Sequence, residues 1–158
     1  MISFEVKGGD KFQQTLEKIA KEKMGVKAGI PAGASSTGGK SVVEYALYNE
    51  LGTAIIPARP FMRTSQETHQ NEWGEIVANG LMGKECTKED ITAVLGTVGE
   101  LMQSHIKETI QKGSFAPNAL KTKEAKRRRG KTEQDHPLID TGQMLESVTH
   151  ELMDGGEL

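Results

Sequence analysis

Residues 33–45 read GASSTGGKSVVEY, and two incompatible folds can be drawn from them. From Ala34 the run A-S-S-T-G-G-K-S follows the phosphate-loop pattern G-x-x-x-x-G-K-[ST], with Ala in place of the first Gly. A phosphate loop implies a parallel α/β sheet, because it follows a central strand buried on both faces that reads as a continuous apolar run. The preceding segment, VKAGI, alternates instead, as a strand with one solvated face does. A nucleotide enzyme also needs an acid after a second apolar strand to help hold magnesium. The nearest candidate, HPLID, is interrupted by Pro137. Ser41 has a simpler use. Ser41-Val42-Val43-Glu44 is a capping box that starts a helix from about Val42 to Leu51, closed by Gly52. The stretch is therefore read as a glycine-rich loop and a helix cap, with Lys40 a loop residue.

Outward from this point the pattern is mixed. Ile2, Phe4 and Val6 alternate as a half-buried strand. Asp10 and Gln13 resemble a helix start, and Phe12, Leu16, Ile19 and Ala20 follow with helical spacing. Val26, Ala28 and Ile30 give a strand that Pro31 ends. Pro60 suits the first turn of a further helix in which Phe61, Trp73, Ile76, Val77 and Leu81 can share a face. Thr87 and Asp90 start another, with the stripe Ile91, Val94, Leu95, Val98, Met102 and Ile106 running to Gly113. Asp140 and Gln143 cap a short turn, and Val148, His150 and Leu152 alternate as a closing strand. The expected fold is α+β: a small, mainly antiparallel sheet with helices packed on one face. The chain is expected to be a single domain over 1–158, with a long mobile basic loop at 114–135.

Composition narrows the function classes. Aromatics are 4% and all hydrophobic residues 35%, so the core is aliphatic and modest. No apolar run reaches membrane-spanning length, and MISFEVKGGDK has no secretory apolar segment. Cys86 is alone, which fits a reducing compartment and excludes an intrachain disulfide. His69, His105, His136 and His150 show neither H-x-x-x-H nor HExxH spacing, and are read as helix-face or surface residues. No nucleophile signature is present. The sequence thus yields no catalytic, cofactor-binding or metal-ligating residue, and no cofactor is expected. Trp73, Met62 and Met82 are read as core, with a subunit interface as the alternative.

The formal net charge of -2 hides a separation. The run KTKEAKRRRGK carries Lys121, Lys123, Lys126, Arg127, Arg128, Arg129 and Lys131 against Glu124 alone. Three readings stand: a solvated loop, non-specific contact with DNA, or contact with an acidic protein surface. No aromatic residue interleaves with the run, which argues against base stacking.

Two separated stretches resemble a known family. EYALYNELGTAIIPARPFMRTS spans Glu44 to Ser65, and HPLIDTGQMLESV spans His136 to Val148. Together they resemble phage neck and tail-completion proteins of the minor tail protein Z-like kind. Those carry A-x-x-N-E-x-G-T…P-x-R-P-F and later P-L-x-D-T-G with a Ser a few residues on. The first block matches at Ala46, Asn49, Glu50, Gly52, Thr53, Pro57, Arg59, Pro60 and Phe61. The second matches at Pro137, Leu138, Asp140, Thr141, Gly142 and Ser147. The resemblance implies an α+β, non-enzymatic virion protein, assembled in the bacterial host cytoplasm, that forms a homo-oligomeric ring at the tail end or neck. Its implied partners are other copies of the chain and other neck or tail proteins, with no membrane. Asn49, Glu50, Gly52, Arg59, Pro60, Phe61, Asp140, Thr141 and Gly142 become candidate interface residues. Pro57 and Pro60 hold Arg59 extended, aimed at Glu50 in the same subunit or at a neighbour's acid. A nucleic-acid-binding accessory protein using residues 121–131 is the competing class.

Overall fold

The computed structural model describes residues 13–14, 17, 19–21, 23–35, 38–39, 41–131 and 135–154. The described residues between 13 and 21 are helical. After them come β1 (Gly25–Gly29), α1 (Val42–Leu51), α2 (Phe61–Leu81), α3 (Lys88–Lys112), α4 (Leu120–Arg128), α5 (Gln143–Glu146) and β2 (Thr149–Met153). β1 and β2 pair as a two-stranded antiparallel sheet, which makes this a small α+β fold. The strand expected at Ile2–Lys7 lies outside the described residues, as do Asp10, Phe12, Leu16 and Lys40. No described helix is long and apolar enough to cross a membrane.

The chain packs as two compact units built from interleaved segments. The first is drawn from residues 1–28, 70–102 and 150–158, the second from 29–69 and 103–149. In the first unit Met24, Leu81, Cys86, Ile91, Val94 and Leu95 form a buried cluster, with Ile19, Val26 and Val77 packed against it. Ile91, Val94 and Leu95 of this cluster are the first part of the apolar stripe that helical spacing predicts for α3. The helix opens on a reciprocal cap: Asp90 N donates to Thr87 Oγ1 and Thr87 N donates to Asp90 Oδ2, both at 3.2 Å. The sheet lies directly on α3 at Gly99, where a Cβ would stand 2.6 Å from His150 Cδ2 and 2.7 Å from Val26 Cγ2. Lys27 and Glu151 pair across the strands at 3.2 Å, on exposed side chains. Of the alternating positions expected on the closing strand, Val148 is buried and His150 half-buried, but Leu152 is exposed. Trp73 is half-buried, whereas Met82, expected in the core or an interface, is exposed.

In the second unit α1 matches its predicted bounds. Glu44 N donates to Ser41 Oγ at 3.2 Å, so Ser41 caps the helix. Glu44 does the second half of its work elsewhere, accepting from the Tyr48 hydroxyl at 2.6 Å. Val42, Ala46 and Asn49 form the inward face, and α1 packs against α5. Phe61, Ile106, Ile110, Leu138, Met144 and Val148 are buried in the same unit.

One expectation is overturned here. Residues 114–135 are not a helix-free loop, because Leu120–Arg128 form α4. Hydrophobic periodicity misses this helix because its single buried residue is Lys126 rather than an apolar side chain.

Candidate functional site

The residues of the first sequence block turn inward on one another. Asn49, on the buried face of α1, donates from Nδ2 to the Tyr45 carbonyl at 2.9 Å, which leaves its Oδ1 pointing away from the helix. Arg59 Nη1 donates to that Oδ1 at 2.8 Å. The other edges of the guanidinium reach the chain near α4: Nε donates to the Ala116 carbonyl at 2.8 Å and Nη2 to the Pro117 carbonyl at 3.1 Å. Arg59 is 6% exposed. Burial lowers its pKa below the ordinary arginine value, with the Tyr45 charge acting in the opposite direction. A buried cation is tolerated when its donors are matched, and here three neutral oxygens match them.

Glu50, one of the two alternatives the sequence leaves open for Arg59, does not receive it. Its Oε2 accepts from Met62 N at 2.9 Å and its Oε1 from Arg63 N at 3.1 Å. The carboxylate thus sits at the start of α2, where backbone donors lack helical partners and the helix dipole favours negative charge. The turn between the two helices is closed by Thr53, whose Oγ1 accepts from Ile56 N at 3.0 Å while its own N–H reaches the Ile56 carbonyl at 2.8 Å. Gly52 begins that turn at φ 75°, and a Cβ there would meet Ala58 N at 2.9 Å. Phe61, just after Pro60, is 1% exposed. Asn49, Arg59 and Phe61 are therefore an internal brace.

The second block anchors the basic run. Lys126 is 3% exposed, and its Nζ donates to the carbonyls of His136 at 2.7 Å and Ile139 at 2.6 Å. Asn118 Nδ2 adds a bond to the same His136 carbonyl at 3.1 Å. Arg129 Nη1 pairs with Asp140 Oδ2 at 2.8 Å, and Lys123 with Asp135 at 2.5 Å. Leu138, between the carbonyls that Lys126 holds, is 2% exposed. Thr141 Oγ1 bonds Gln143 Oε1 at 3.1 Å, and Gly142 turns the chain into α5 at φ 84°. Lys126, named from the sequence as a DNA or partner contact, is committed to the chain's own backbone. Lys121, Arg127 and Arg128 remain exposed on α4.

With the inner face of α1 so occupied, its outer face is unusual. Leu47, Tyr48 and Leu51 are exposed, continued by Ile55 at 91% in the following turn. A helix apolar on both sides is normally covered on both.

Sequence reasoning passed over one more arrangement. The rings of His69 on α2 and His105 on α3 stack with centroids 3.7 Å apart and planes 16° from parallel. The ligand atoms of His69, Glu72 and His105 lie within 4.8 Å of one another. A search by sequence spacing sees only His69 and Glu72, one turn apart, because His105 arrives from another helix.

Comparison with family models, curated proteins and solved structures finds no match for this chain.

Proposed function

We propose that this chain is a non-enzymatic phage or prophage structural protein of the head-tail junction or tail terminus, acting by ring assembly. The observation that carries the reading is the outer face of α1. Leu47, Tyr48 and Leu51 share an exposed face by helical spacing, Ile55 is exposed in the turn that follows, and exposed apolar surface of this kind marks places that a partner covers. This surface is held on a stiff corner, since the Arg59–Asn49 brace, the Glu50 cap of α2 and the Thr53 turn all lie beside it. A pre-ordered apolar surface loses little entropy on association. The resemblance of the two sequence blocks to tail-completion proteins supplies the biological setting, and a second copy of the chain is the natural partner in a ring. Within that setting the brace residues build the corner, and the neighbouring α1 face makes the contact.

The test is assembly. Sedimentation of the purified chain over a concentration series should show a closed oligomer, and Leu51→Asp with Ile55→Asp should return it to a monomer with unchanged melting temperature. A wild-type chain that stays monomeric throughout, together with full virion yield from the double variant, would overturn the reading.

A further inference from the structure

We propose that His69, Glu72 and His105 bind a zinc-type divalent transition-metal ion. Two imidazoles and one carboxylate are the donor set such ions favour, and three protein ligands with an open fourth position is a familiar zinc arrangement. The ligand atoms already lie within 4.8 Å of one another. The relation of His69 to Glu72 is fixed by α2 itself, since residues three apart on a helix share a face. His105 reaches His69 closely enough for the two rings to stack. Calcium and magnesium are disfavoured, because they take oxygen ligands.

The stack also says what must change on loading. An imidazole donates its lone pair in the plane of the ring, and two planes only 16° from parallel do not meet at a common ion. At least one ring must turn about its χ2 torsion, a soft rotation for a ring on an sp³ carbon. Both histidines are half-buried and Glu72 is exposed. The ion would therefore be held from the protein side by nitrogen and closed from the solvent side by the carboxylate. It would tie α2 to α3. This inference does not depend on ring assembly.

The experiment uses the whole chain, first stripped with a chelator, and titrated with Co²⁺ and then Zn²⁺. One Co²⁺ per chain with visible ligand-field bands, displaced by Zn²⁺, is the expected result. His69→Gln and His105→Gln should each weaken binding ~10-fold or more, since even loss of an outer-shell partner costs that much. His136→Gln and His150→Gln should leave it unchanged. Glu72→Gln, at an exposed position, separates ligation from folding: it should weaken Zn²⁺ binding while the circular dichroism spectrum stays that of the wild type. The ring proton resonances of His69 and His105 should move together on loading as the stack opens. Binding that survives in the His69→Gln, His105→Gln double variant, or no binding by the wild type, would overturn the proposal.

Discussion

Arg59 holds Asn49 twice: its backbone N–H donates to the Asn49 carbonyl at 2.6 Å, and its Nη1 donates to the Asn49 side-chain oxygen at 2.8 Å. The remaining donors that face inward fasten the carbonyls of Ala116 and Pro117. One side chain thus joins the end of α1, the start of α2 and the approach to α4.

Arg59→Ala should destabilise the protein by about 3 kcal/mol, because it strands the buried Asn49 side-chain oxygen and removes the bonds to the Ala116 and Pro117 carbonyls. Arg59→Lys should recover little of this, since a single ammonium cannot reproduce the three-edged fork. Urea melts of both variants decide the matter. A loss below about 1 kcal/mol in the alanine variant would show that the brace contributes little.

Gly52→Ala should cost about 1–3 kcal/mol. Its φ of 75° is unfavourable for an L side chain, and the Cβ would press on Ala58 N at 2.9 Å. Thermal unfolding of the variant beside the wild type measures the loss; a neutral result would mean that the turn re-forms in another geometry.

Ser41→Ala should cost about 1 kcal/mol through the lost cap on α1. Since the Glu44 carboxylate accepts from Tyr48, it is not expected to compensate. A denaturant melt checks this directly.

Lys126 and its neighbours should separate cleanly. Lys126→Ala removes a buried ammonium from two carbonyls and should cost about 2–3 kcal/mol. Arg127→Ala with Arg128→Ala, both exposed, should leave the melting temperature unchanged. The same pair tests the nucleic-acid alternative: if the chain uses this run on DNA, binding falls steeply with salt and weakens in the double variant. Trypsin should cut within α4 more readily in Lys126→Ala than in the wild type, because cleavage there requires the helix to open.

The corner around α1 was legible because its signals are local. A capping Ser, a closing Gly and a Pro just before the next helix each act within a turn, and α1 emerges with the expected bounds. Arg59 stands out in the sequence, but neither acid it suggests within the chain or on a neighbour is among its bonds within the chain. Charge logic looks for an acid, whereas the fold uses an amide oxygen and two carbonyls from residues far along the chain. α4 was hidden for a related reason, since a helix anchored by one buried Lys carries no apolar stripe. The paired histidines are invisible to any motif that assumes one helix.

The reach of Arg59 has a consequence for the order in which the protein forms. Its bond to Ala116 closes a span of 57 residues, and a contact between such distant points is entropically late unless the intervening chain has already been gathered. The brace should accordingly be absent from the rate-limiting barrier. Arg59→Ala should then accelerate unfolding while leaving the refolding rate nearly untouched, which stopped-flow denaturant jumps can measure. A latch that engages after the barrier lengthens the lifetime of the folded chain without slowing its production.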